Sequence, residues 1–326
     1  MLCFRFIDGE GIMDAVDLVK ACTKLHRRNS GAVVRNAIRV GSEIRRSMSD
    51  FLRKEGFVEI APVIISPITD PLCHATGNVL FEYYGHPFQI TKSMIFHKQM
   101  AMLACDRIFT FSPNVRLEPV ELADTGRHLV EFTQLDLEWK GGTREKLMAL
   151  GEKLVIAAIS QIKKTCKKEL ASFKRNLKVP KTPFEKVTYT EAYKKYGPEF
   201  EVVLSERHKD PFWIIDIPME RREFYDREDP KRHGILRDMD LVYPEGFGEA
   251  LSGGEREYEH DRIKKRIEKF GMNPEDLKWF LEFARLGIPK SAGFGIGVER
   301  LTRFCCGLKR IDDVTLFPKI PGSWGP

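Results

Sequence analysis

The side chains best suited to chemistry in this sequence are arginines beside short loops. Arg116, in Val115-Arg116-Leu117-Glu118, ends a strand-like run. A guanidinium fixed there can hold a phosphate or a developing oxyanion, with two donors if needed. Across a polar loop, Arg127 and His128 could take distal phosphates, and Phe132 on the returning run offers a face for a flat base. Two antiparallel strands joined by such a loop make a clamp over a nucleotide. A second run extends from Asp240 to Glu249-Ala250-Leu251-Ser252-Gly253-Gly254-Glu255-Arg256. Asp240, Glu249 and Ser252 supply hard oxygen ligands suited to Mg²⁺ bridging phosphates, and Arg256 is a candidate anchor for a substrate carboxylate. In a third run, Gly293-Phe294-Gly295-Ile296-Gly297-Val298-Glu299-Arg300-Leu301, the glycines let the backbone approach a flat ligand, and Arg300 opens a helix within reach of a phosphate. The glycine spacing lacks the context of a dinucleotide fold, which opens a βαβ unit with an acidic residue ~20 positions on.

The elements that must position these groups follow from periodicity. Residues 31–56 predict a long helix, with apolar positions at Val33, Val34, Ala37, Ile38, Ile44, Met48, Phe51 and Leu52 and Gly56 as its stop. Phe57–Ile65 reads as a β-segment interrupted by Pro62, which suits an edge or an interface. Val79–Ile90 predicts a hairpin turning at Gly85, and Ser93–Cys105 a helix. Arg107–Arg116 and Leu129–Trp139 are strands, Arg144–Glu169 a helix, and Ala171–Pro183 a basic, proline-marked surface connection. Pro211–Ile217 and Arg237–Leu251 read as strands, Glu255–Phe270 and Pro274–Leu286 as helices, and Gly293–Cys305 as a strand-to-helix junction. Strands and helices do not alternate regularly, so the expected class is α+β with an antiparallel sheet. Residues 1–30 form a lead-in with an amphipathic stretch around Met13–Leu25, and residues 31–326 form one domain.

Composition narrows the class further. The 53 basic and 47 acidic residues leave a net charge of +6, too mild to argue for nucleic-acid binding without clustering. The seven cysteines show no CxxC spacing and are expected to be reduced thiols in a cytoplasmic protein. No apolar run approaches the ~20 residues that span a bilayer, and no export signal is visible, so no membrane partner is expected.

In this order and spacing, the runs at Lys54–Pro62, Val115–Phe132 and Gly293–Leu301 resemble motifs 1, 2 and 3 of class II aminoacyl-tRNA synthetases. Arg127-His128-Leu129, Glu249 to Arg256 and Gly295 to Leu301 are similar to the aspartyl/asparaginyl subgroup. Ser66–Leu72, His97-Lys98-Gln99, Ser112-Pro113-Asn114, Glu131–Asp136, Glu223–Glu228 and Ser291-Ala292-Gly293 resemble the archaeal asparagine synthetases related to asparaginyl-tRNA synthetase. That resemblance implies a class II synthetase-like antiparallel sheet flanked by helices. It also implies conversion of aspartate, ATP and ammonia to asparagine, AMP and pyrophosphate through a β-aspartyl adenylate.

The same resemblance assigns roles. Arg116, Glu118, Arg127, His128, Phe132, Glu249 and Arg300 would bind ATP, with Arg116 and Arg300 acting on the phosphates, and Asp240, Glu249 and Ser252 would hold Mg²⁺. Similarity to the bacterial ammonia-dependent enzyme adds Asp70, Ser93, Lys98, Gln134, Asp136 and Arg256 for aspartate, with Asp70 receiving ammonium and taking its proton. Where aspartyl-tRNA ligases read Ser-Pro-Gln-Leu-Tyr-Lys, this chain reads Ser93-Met94-Ile95-Phe96-His97-Lys98, so the substrate is expected to sit differently. About 30 residues precede the motif 1 helix, too few for an anticodon-binding domain, so tRNA is not expected as a partner. A homodimer is expected, with motif 1 at a two-fold interface. The alternatives are a truncated aspartyl- or asparaginyl-tRNA ligase and a non-catalytic, regulatory paralogue.

Overall fold

The computed structural model describes residues 15–74 and 76–323; Met13 and Asp14 of the expected amphipathic stretch lie outside them. Helix α1 (Ala15–Ser30) is followed, after Gly31, by α2 (Ala32–Lys54). α2 forms as its spacing predicts: Val34, Ala37, Val40, Ile44, Met48 and Leu52 recur every three or four residues and are buried. Gly56 ends the turn at φ +81°, where a side chain would be strained. The expected single segment over Phe57–Ile65 is instead two short strands, β1 (Val58–Glu59) and β2 (Ile65–Ser66), because Pro62 between them has no N–H for a ladder.

The hairpin forms as β3 (Leu80–Tyr83) and β4 (His86–Ile90), with Tyr84 and Gly85 at φ 51° and 76° in its two-residue turn. Helix α3 (Ile95–Ala101) is shorter than expected. β5 (Arg107–Val115) and β6 (Glu131–Lys140) pair antiparallel from Arg107↔Trp139 to Val115↔Glu131. The long helix expected next breaks at Cys166 into α4 (Arg144–Thr165) and α5 (Lys167–Ser172). Residues 184–207 carried no expectation. They form β7 (Glu185–Thr188), α6 (Tyr189–Tyr196) and α7 (Phe200–Arg207), and their Ala192, Phe200 and Leu204 share a small core with Phe212 and Ile214 of β8 (Phe212–Ile215).

Arg237–Leu251 is not one strand. It turns at Glu245 and Gly246, both at positive φ, into a hairpin of β9 (Asp238–Tyr243) and β10 (Gly248–Glu255). Then come α8 (His260–Lys269), α9 (Lys278–Leu286), β11 (Ser291–Gly297) and α10 (Val298–Cys306). Among the described residues, no helix is long and apolar enough to cross a membrane.

Eight strands form one sheet in the order β1-β5-β6-β11-β10-β9-β8-β7. The pairs from β5 to β8 are antiparallel, and only the edge pairs β1–β5 and β7–β8 are parallel, so the α+β class is as expected. α2, α4 and α10 cover one face. There Leu135, Leu137 and Leu251 of the sheet pack with Ile44, Leu147, Leu154 and Leu301 of the helices in the main core. Because side chains alternate along a strand, Gln134 and Asp136 of β6 point to the other face, where the cavities lie.

Candidate active site

Two cavities adjoin on that open face, of ≈ 340 Å³ and ≈ 210 Å³. Both are lined by His74, Arg116, Gln134 and Glu249, so they form one cleft with Arg116 and Glu249 at its waist. The larger end gathers Arg116, Glu118, Arg127, His128, Phe132, Glu249 and Arg300, all the residues the sequence suggested for a nucleotide. The smaller end gathers Asp70, Ser93, Lys98, Gln134, Asp136 and Arg256, all those suggested for an amino acid.

At the nucleotide-sized end, the guanidiniums of Arg116, Arg127 and Arg300 stand among the carboxylates of Glu118, Glu249 and Glu299. Arg116 is held by its Nε, which donates to the Lys92 carbonyl at 3.1 Å, and its guanidinium lies 5.1 Å from the Phe132 ring centroid. Phe132 lines the cavity and packs against the main core. Arg300 pairs with Glu249 at 2.9 Å, and Arg127 stands 3.9 Å from Glu201. Burial, together with the neighbouring Arg300 and Arg127, pushes the His128 imidazole down to about 4. His128 is therefore neutral at pH 7, and its Nδ1 lies 2.7 Å from Thr125 Oγ1. Burial alone would raise the Glu249 carboxyl, but Arg300, Arg222, Arg127 and Arg116 outweigh it and hold it below its usual range.

The smaller end is built from buried ion pairs. Lys98 Nζ donates to Asp136 Oδ1 at 2.7 Å, with both side chains almost fully enclosed. Arg256 pairs with Asp226 at 3.0 Å and Glu138 at 3.3 Å. Lys98 and Arg256, expected as free anchors for a substrate, thus already carry protein counter-ions. Asp70 is equally committed: it accepts from Ser93 Oγ at 2.8 Å, Tyr225 OH at 3.0 Å and the Leu72 amide at 3.0 Å. The Asp136 Oδ2 atom, by contrast, is buried without a hydrogen-bond partner among the described residues. Glycines clear the floor: a Cβ at Gly293 would collide with the Glu138 carboxylate, and one at Gly295 would crowd Gln134 at 3.1 Å.

Arg222 and Glu223, which sequence reasoning passed over, dominate this end. Arg222 donates through Nε to Asp238 at 2.8 Å, through Nη1 to Ser252 Oγ at 3.2 Å, and pairs through Nη2 with Asp240 at 2.5 Å. The same guanidinium thus touches two of the expected Mg²⁺ ligands. Ser252 accepts one hydrogen bond from it, which leaves its hydroxyl oxygen a second lone pair. Asp240 keeps one buried oxygen, Oδ1, without a partner among the described residues, and it lies close enough to Glu249 for the two carboxylates to raise each other's proton affinity. Those two carboxylates fit a Mg²⁺ that arrives on ATP and keeps phosphate and water ligands. Burial, with Asp70 and Asp226 beside it, pushes the Glu223 carboxyl up to about 7 against the pull of Arg222. Both residues sit in the irregular stretch between β8 and β9, where no periodicity marks a role. Their only signal was the string Glu223–Glu228.

A cleft with arginines at its phosphate-sized end, on a six-stranded antiparallel core floored by glycine strands, is the architecture of one enzyme class. Residues 19–321 match the family of class II tRNA synthetases (D, K and N), and the chain belongs to that family. Its members are ATP-dependent ligases, and so is this protein. The chain is 30% identical over 300 residues to the asparagine–tRNA ligase of Pelotomaculum thermopropionicum, covering 87% of this chain and 68% of that one. Against the asparagine–tRNA ligase of Pyrococcus abyssi the identity is 29% over 305 residues, with 89% and 69% covered. The solved asparaginyl-tRNA synthetase of Pyrococcus horikoshii, complexed with asparaginyl-adenylate, superposes with a TM-score of 0.86 at 27% identity, over 93% of this chain and 72% of that one.

These relatives overturn two expectations. The reading as an asparagine-forming enzyme, with a β-aspartyl adenylate and ammonia, gives way because the matched proteins are tRNA ligases. The expectation that tRNA is no partner fails for the same reason; it rested on the short stretch before α2, which says nothing about how the cleft is used. The role given to Asp70 in receiving ammonium falls with that reaction, and its three hydrogen bonds account for it as a support of the cavity wall.

Proposed function

We propose that the protein is an asparagine–tRNA ligase: it activates asparagine with ATP and passes the asparaginyl group to tRNA. One observation carries the choice of amino acid. Among the described residues, Lys98, Arg222 and Arg256 of the smaller cavity are each paired with a protein carboxylate. An aspartate side chain would bring a further negative charge beside Asp70, Glu223 and Asp226, while Arg116, which also lines this cavity and has no carboxylate partner among the described residues, is taken up by the phosphate in this reading. A carboxamide brings no charge, and its NH₂ can donate to an acceptor such as the free Asp136 oxygen or Glu223.

In this reading the asparagine α-carboxylate lies at the waist of the cleft. One of its oxygens attacks the α-phosphorus of ATP, the bond to the bridging oxygen breaks, and pyrophosphate leaves. Arg116 stabilises the charge that builds on the α-phosphoryl oxygens, a preorganised electrostatic role. Arg127 and Arg300 neutralise the distal phosphates, and Phe132 stacks on the base. Mg²⁺, held by Asp240 and Glu249 as well as by ATP itself, would supply Lewis-acid stabilisation of the phosphates. In the second half, a terminal ribose hydroxyl of tRNA attacks the carbonyl carbon, and AMP leaves. Incubation with tRNA, ATP, Mg²⁺ and labelled asparagine tests this: label should become acid-precipitable and be lost on mild base hydrolysis. Absence of charging with asparagine on tRNA from a matching source would remove the proposal.

A further inference from the structure

We propose that the corner where α4 meets α5, on the side of the sheet away from the cleft, is a docking surface for an RNA backbone. Lys163, Lys164, Lys167 and Lys168 stand there in two consecutive pairs, all exposed. The packing fixes their direction. Ile162, Cys166 and Leu170 are buried in the main core, so the intervening lysines must face outward. Four ammonium groups within two helical turns repel one another, and the chain does not neutralise them: none forms an ion pair among the described residues.

The nearest carboxylates are already taken. Glu169 pairs with Arg39 at 3.4 Å. Glu43 pairs with Arg46 at 2.5 Å and also accepts from Gln161 at 2.9 Å and Thr165 at 3.1 Å. Arg39 pairs with Glu169, and Arg46 with Glu43 and Asp50, so neither adds an unpaired charge to the four lysines. α2 runs beside α5, tied by a hydrogen bond from Asn36 Nδ2 to Ser172 Oγ at 2.8 Å.

A row of fixed cations without paired anions fits a partner with regularly spaced negative charges. A membrane surface is a poorer match. The other exposed residues of this corner, Thr165, Ala171 and Ser172, offer no large apolar side chain for insertion between lipids. The surface lies behind the catalytic sheet, so this inference does not depend on which amino acid the cleft accepts.

The test is the binding of a fluorescent oligouridylate as a function of salt, for the wild-type protein and for the variant Lys163→Glu, Lys164→Glu, Lys167→Glu, Lys168→Glu. The wild type should bind, and the variant should bind at least tenfold more weakly at low salt. The slope of log affinity against log salt should flatten by about 3, as expected for four lost phosphate contacts on a single strand. Replacing the same four lysines by arginine should retain binding. ATP–pyrophosphate exchange should be equal in all three proteins, showing that the variants are folded. Equal RNA affinity in the wild type and the glutamate variant would overturn the proposal. So would binding to phosphatidylserine vesicles without binding to the oligonucleotide.

Discussion

Arg222 and Asp240 form an ion pair at 2.5 Å on the floor of the amino-acid cavity, and the same guanidinium reaches Asp238 and Ser252. One cation thus ties the irregular segment after β8 to the two strands β9 and β10. Removing the guanidinium leaves two buried carboxylates uncompensated, which costs about 3–5 kcal/mol. Arg222→Met should therefore lower the urea midpoint sharply, and it should abolish amino-acid binding in the fraction that folds. An unchanged midpoint would show that the network does not hold the cavity together.

Arg116 is predicted to act on the transition state more than on the ground state. Arg116→Ala should lower kcat for pyrophosphate exchange by about 10²–10³-fold, the usual effect of removing one preorganised donor. KM for the amino acid should change by much less. A mutant that raised only KM would assign Arg116 to substrate binding.

Glu223 sets an expected pH profile. Its carboxyl is pushed up to about 7 by burial and by Asp70 and Asp226, so it is neutral below that pH and ionised above it. The ionised form is the better acceptor for an amide N–H or an ammonium group. KM for asparagine should accordingly fall as pH rises through 7. In Glu223→Gln that dependence should flatten, and persistence of the wild-type pH dependence in the variant would exclude Glu223 from binding.

His128 should report on ATP. With its imidazole near 4 in the free protein, it carries no proton at pH 6. A polyphosphate placed beside it opposes the influence of Arg300 and Arg127, so its pKa should rise on binding. Titration calorimetry at pH 5.5 in two buffers of different ionisation enthalpy should detect proton uptake that His128→Gln lacks.

Much of the cleft was legible in the sequence because its chemistry rides on regular elements. Arg116, Phe132, Gln134 and Asp136 belong to the β5–β6 hairpin, whose two strands are plain from their alternation. Arg300 follows a glycine run whose φ and spacing suit a strand-to-helix junction. Arg222, Glu223 and Tyr225 were missed because the chain around them has no period to read. The ion pairs of Lys98 and Arg256 were also invisible. Spacing reports that a cation is present, but its counter-ions arrive from elsewhere in the chain, Asp136 and Glu138 from β6 and Asp226 from the irregular stretch before β9. The aspartate pocket was expected from the family resemblance, and the spacing held nothing to correct it. A cation with a buried partner no longer recruits a substrate carboxylate.

The neutralised cavity is proposed to select the amide over the acid. The most direct measurement is amino-acid-dependent ATP–pyrophosphate exchange, comparing kcat/KM for asparagine and aspartate with no tRNA present. Burying an unpaired carboxylate costs several kcal/mol, so asparagine should be preferred by at least about 100-fold. Equal rates, or a preference for aspartate, would contradict the claim.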